Sequence, residues 1–110
     1  MTDDIAAEGE RFLLEFGAAG LAARDGLRPR GQELARRLHS AAIDLSSRKA
    51  TEFSSDIPKL FLLAAKVAWL AFGAGAGELE PFERDVYYYG KFSPPHPIVA
   101  AYDAFKRIEQ

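Results

Sequence analysis

The residues of this 110-residue chain that could do chemistry are few, and their spacing does not suit catalysis. The histidines are His39 and His96. Together with Asp85, the neighbours His39 and Ser40 supply the residue types of a hydrolase triad. Adjacent side chains on a helix point about 100° apart, so His39 and Ser40 do not converge by themselves. No GxSxG elbow presents a strained serine beside an oxyanion loop. Ser93 and His96 share a proline-rich stretch whose default is to face solvent. Metal sites in helical bundles use Glu-x-x-His pairs, but the residues three before the histidines are Arg36 and Ser93. The absence of cysteine removes disulfides, thiolate metal sites and thiol nucleophiles. Gly73, Gly75 and Gly77 follow a helical run rather than a strand, and Glu78, Glu80 and Glu83 come next. With no Lys-Ser/Thr pair behind them, they do not make a nucleotide-binding loop. The residues thus point to no catalytic site, no metal and no cofactor, and the chain reads as a non-enzyme.

The elements that would position these side chains are helices. Alanine is abundant and β-branched residues are scarce, which favours helix over strand. The most informative element is the run at 57–73, which reads LFLLAAKVAWLAF from Leu60 to Phe72 with Lys66 as its only charge. A helix without a polar face has to be wrapped by neighbours, a second subunit or lipid. The apolar stretch 60–77 has 18 residues, the lower limit for a span. Lys66 at a bilayer centre would cost about 2.5–3.5 kcal/mol, against roughly 0.3–0.6 kcal/mol contributed by each Leu, Phe or Val. The sums nearly cancel, and the glycines weaken one end. The reading is a buried core helix, with no membrane partner.

Around this rod the pattern gives wrappers. Helix 1 begins after Thr2, a capping residue, with Asp3 and Asp4 in its first turn. Ile5, Phe12, Leu13 and Phe16 form its apolar stripe, and it ends between Gly17 and Ala23. Arg24, Asp25 and Gly26 read as a turn. Helix 2 starts near Pro29, with Leu34, Leu38, Ala41 and Leu45 on one face, and fades between Lys49 and Phe53. Ser54, Ser55 and Asp56 before Pro58 signal the start of helix 3. Phe82, Val86 and Tyr89 stack on a short helix 4 that Gly90 ends. The KFSPPHP stretch, 91–97, runs extended. Helix 5 opens at Pro97 with Ile98, Tyr102, Phe105 and Ile108 facing inward, and with Asp103, Lys106 and Arg107 outward. The fold class is all-α: one small compact helical domain over 1–110, with four main helices and one short helix packed around the central rod.

Charge and aromatic content indicate partners. The net charge is −2, yet residues 28–50 carry six basic groups against two acidic ones. Arg30, Arg36, Arg37, Arg48 and Lys49 form a basic face. In the stretch 32–49, Ala35, Leu38 and Leu45 fall where a helix-turn-helix buries apolar residues, and Arg48 and Lys49 where phosphate is reached. His39 stands at its turn glycine, Ser40 at an apolar position and Arg48 at a buried one. A single amphipathic helix accounts for the same letters, with Glu33–Arg37 and Asp44–Arg48 as neutralising i,i+4 pairs. Nucleic acid is therefore the alternative partner. The leading one is a protein, docked on Tyr87, Tyr88, Phe92, Pro94, Pro95 and His96. Successive tyrosines on a helix cannot all be buried, and tyrosine is favoured at interfaces. A homodimer through Leu62, Leu63, Lys66, Trp69 and Leu70 fits the girth of the rod. A small-molecule pocket near His96 and Tyr102 is a further alternative. The acidic N-terminus lacks the apolar region of a secretory signal, and the lack of cysteine fits a reducing compartment. Both favour the cytoplasm.

Overall fold

The computed structural model describes residues 2–48 and 56–109, with side chains from Asp4 onward. Helix α1 is Thr2–Ala18, α2 Leu21–Arg48, α3 Asp56–Phe72, α4 Glu80–Tyr87 and α5 Pro97–Ile108. Short 3-10 turns, Gly77–Leu79 and Tyr88–Lys91, lead into and out of α4. The architecture is all-α, a compact packing of helices around α3. Twelve of the 17 residues of α3 are buried, between Ile57 and Ala71. Its sheath comes from Phe12 and Phe16 of α1, Leu34, Ala35, Leu38 and Ala42 of α2, Leu79, Phe82 and Val86 around α4, and Ile98 and Tyr102 of α5. Small side chains let the helices come close. A Cβ on Gly31 of α2 would lie 2.9 Å from the Ala71 Cβ and 2.4 Å from the Phe12 ring. No described helix is long and apolar enough to cross a membrane.

The structure departs from the sequence pattern at three points. Arg24, Asp25 and Gly26 do not form a turn, because α2 runs through them and through Pro29 without a break. Proline inside a helix forfeits one backbone hydrogen bond. Tertiary bonds hold the early turns of α2 instead. The Arg24 guanidinium donates to the Phe16 and Gly17 carbonyls at 3.0 and 3.4 Å, closing the end of α1. That of Arg28 donates to Leu70 O at 2.5 Å, at the end of α3, where Gln32 also donates to Ala71 O at 3.2 Å. Secondly, the buried stripe of α2 takes in Ala42 rather than Ala41. Thirdly, Ile108 is 78% exposed rather than inward. Phe105 meets Trp69 edge-on with ring centres 6.1 Å apart, and one turn further α5 has passed the edge of the core.

Gly73, just past the end of α3, and Gly75 in the turn after it have φ of +99° and +80°, values only glycine adopts without strain. Gly73 N–H donates to Trp69 O at 3.1 Å, completing the terminus. The loop before α5 contains a cis Ser93–Pro94 bond. The capping residues expected at Thr2, Ser54 and Ser55, and the fading of helix 2 after Lys49, lie outside the described residues or side chains.

Candidate functional site

The tyrosine run divides between two faces. Tyr89 lies on the line of Phe82 and Val86 and is half-buried, while Tyr87 and Tyr88 are exposed. Tyr89 is the hub of a ring cluster. Its centroid is 5.6 Å from that of Tyr88, 5.7 Å from Phe92 and 5.5 Å from His96, and Tyr88 and Phe92 are 5.9 Å apart. Inward, Tyr89 lies 6.3 Å from Phe61 of α3. From Phe61 the contacts continue through His39 to Phe82 and Phe72, at 5.8, 5.0 and 6.1 Å. An unbroken chain of rings thus joins the core to an outer rim where Tyr88 is 52% and Phe92 43% exposed. Pro94 and Pro95 are exposed beside it, and His96 is half-buried. The Nδ1 atom of His96 accepts the Ile98 N–H at 3.1 Å, capping α5, and the His96 N–H donates to Tyr89 O at 3.1 Å. The loop is therefore tied to the helix on each side of it.

Tyr87 does not join this rim. It turns toward α5, where its hydroxyl donates to Asp103 Oδ1 at 2.5 Å and accepts from Lys106 Nζ at 2.8 Å. Tyr102, fully buried, donates to Glu83 Oε2 at 2.7 Å, and Lys106 reaches the same oxygen at 3.5 Å. Burial pushes the Tyr102 phenol well above its usual range, and the Glu83 carboxylate adds to the shift. Tyr87 is raised by burial and by its bond to Asp103. Burial opposes the charge on Lys106, but its bonds to Tyr87 and Glu83 prevail and hold it above the ordinary lysine value. This network clamps α4 to α5. Sequence placed Asp103 and Lys106 outward. Their i,i+3 spacing, and that of Glu83 and Tyr87 at i,i+4, was readable, but not the docking of α4 on α5 that joins the pairs.

Of the two residues expected beside a small-molecule pocket, Tyr102 is buried and bonded to Glu83 and His96 is half-buried. One surface hollow of about 750 Å³ is lined by Trp69, the 74–77 loop, and charged residues of α4 and α5, including Arg84 and Arg107.

The face expected for self-association is largely covered within the chain. Leu63, Trp69 and Leu70 are buried, and Leu62 and Lys66 are half-buried. The Lys66 ammonium lies 5.5 Å from the centre of the Phe105 ring.

The basic face is engaged with carboxylates. Arg30 pairs with Glu15, Arg48 with Asp44, and Arg37 with Glu8 at 3.2 Å rather than with Glu33. Glu33 meets Arg36 at 3.9 Å, and the Arg36 guanidinium lies 5.4 Å from the centre of the Phe72 ring. Lys49 lies outside the described residues. The segment from Gln32 to Arg48 is continuous helix, so a helix-turn-helix is not made there.

His39 does find Asp85, Nε2 to Oδ2 at 2.5 Å, joining α2 to α4. Ser40, its helical neighbour, is exposed. A hollow of about 450 Å³ beside the pair is lined by Arg36, His39, Ser40, Phe72, Glu78, Pro81 and Phe82. The His–Asp contact acts as a strap between helices, and no hydrogen bond links the serine to it. Among the described residues, no three His, Asp or Glu side chains gather where they could hold a metal ion. Compared with known protein families, curated proteins and solved structures, the chain matches none.

Proposed function

We propose that the protein is a non-enzymatic, cytoplasmic interaction module, working as an adaptor, inhibitor or regulatory subunit. Its working surface is the rim of Tyr88, Phe92, Pro94, Pro95 and His96, without Tyr87. One observation carries this reading: exposed aromatic rings are packed on one another and continue ring by ring into the core. A surface held in place before contact loses little freedom on binding. Aromatic residues supply much of the energy of interfaces. The nucleic-acid alternative draws less support, because Arg30, Arg37 and Arg48 already hold carboxylates.

The test is affinity capture from native lysate with the wild type and a Tyr88→Ala/Phe92→Ala variant in parallel, with nucleic acid scored in the same eluate. The expected result is a protein partner held by the wild type and lost by the variant. Identical captures from both proteins, or nucleic acid as the main catch, would defeat the reading.

A further inference from the structure

The segment that carries the aromatic rim is free of acid. Between Val86 and Ala101 the only ionised side chain by type, His96 aside, is Lys91, in a chain with 16 acidic and 14 basic residues. Lys91 has no carboxylate partner among the described residues, and its ammonium lies 5.6 Å from the centre of the Tyr88 ring. The Tyr88 hydroxyl makes no hydrogen bond within the described residues, unlike those of Tyr87 and Tyr102. In His96 the acceptor role of Nδ1 places the proton of the neutral ring on Nε2, a third donor. An ammonium, a phenol and an imidazole N–H thus stand around an apolar floor of Tyr89 and Phe92, with no carboxylate in the segment to answer them.

The geometry points to a linear acidic peptide segment of a protein partner as the occupant, with Asp or Glu side chains next to apolar residues. Its carboxylates meet the Lys91 ammonium and the Tyr88 hydroxyl in charge-assisted hydrogen bonds. Its apolar residues cover the rings of Phe92 and Tyr89. A basic segment would set like charge against Lys91 and offer it no carboxylate. This inference rests on the interaction reading above and names the chemistry of the partner.

A random peptide library displayed on phage and panned against the full chain tests it, followed by fluorescence anisotropy with the enriched peptides. Variants are Lys91→Glu, Tyr88→Phe and Phe92→Ala, each at an exposed position and each checked for helix content. The expected outcome is enrichment of acidic sequences with apolar neighbours. Binding should weaken about tenfold, the equivalent of 1.4 kcal/mol, in Lys91→Glu and in Tyr88→Phe. Neutral or basic peptides that ignore Lys91→Glu but need Phe92 would overturn the acidic partner and leave the interaction reading standing. No enrichment at all, or binding indifferent to Phe92→Ala, would overturn both. Phe92-dependent sedimentation with phosphatidylserine vesicles, in the absence of peptide enrichment, would replace the peptide by a lipid surface. Concentration-dependent association of the protein that Lys91→Glu abolishes would replace it by a second copy.

Discussion

The Arg28 guanidinium donates to the Leu70 carbonyl across 42 residues of chain, at the C-terminal end of α3. One turn earlier on α2, Arg24 does the same for the end of α1. Cations are favoured at helix C-termini, where unpaired carbonyls gather. Arg28→Met keeps much of the apolar stem and removes the donor. It is expected to cost about 1.5–3 kcal/mol, the range for a hydrogen bond to a charged group. Urea unfolding followed by circular dichroism would show a lower midpoint with an unchanged slope.

Two glycines of α2 should respond oppositely to alanine. At Gly26 an added Cβ meets nothing within 4 Å. Gly26→Ala therefore stabilises by about 0.5–1 kcal/mol, the helical cost of glycine. At Gly31 the same atom falls 2.9 Å from the Ala71 Cβ, which the α3 backbone fixes in place. Overpacking costs about 1–3 kcal/mol, and the overlap at Gly31 exceeds the gain in helix propensity. Thermal midpoints measured side by side should rise for the first and fall for the second.

The Tyr102–Glu83 bond makes stability depend on alkaline pH. The folded state holds the phenol proton above its ordinary value of 10.0. The unfolded chain releases that proton near about pH 10. The contribution is complete below that pH and is lost progressively as pH rises through the folded value. Tyr87 and Lys106, both raised, act with the same sign. Tyr102→Phe should lower stability at neutral pH by about 1.5–3 kcal/mol and flatten the alkaline fall. Denaturation midpoints between about pH 8 and 11 measure both effects. A variant as steep as the wild type would place the dependence elsewhere.

Trp69 reports on self-association. It is 7% exposed within one chain, covered in part by Phe105. Its fluorescence should be blue-shifted and should not change on dilution. An emission that moves to the red as the protein is diluted would mean that a second copy helps to cover it.

The rod at α3, its wrappers and the start of α5 at Pro97 were all readable, because apolar spacing and proline placement act locally. Pro29 misled, since the sequence marks the backbone hydrogen bond it forfeits but not the bonds of Arg24 and Arg28 that hold α2 together around it. Helical geometry separated Tyr89 from its neighbours correctly. It grouped Tyr87 with Tyr88 because the polar partners of Tyr87, Asp103 and Lys106, lie on another helix. Glu33 and Arg37 have the spacing of a pair, yet Glu8 of α1 takes the arginine. In each case the deciding contact spans helices, and local spacing carries no record of it.

The carbonyls of Trp69, Leu70 and Ala71 are all satisfied by groups at or before Gly73. Ala74 and Gly75, exposed beyond them, close no helix. A reporter sequence spliced between Ala74 and Gly75 would leave α3 sealed. That junction therefore offers an attachment point for a label that disturbs neither the oily centre nor the aromatic rim.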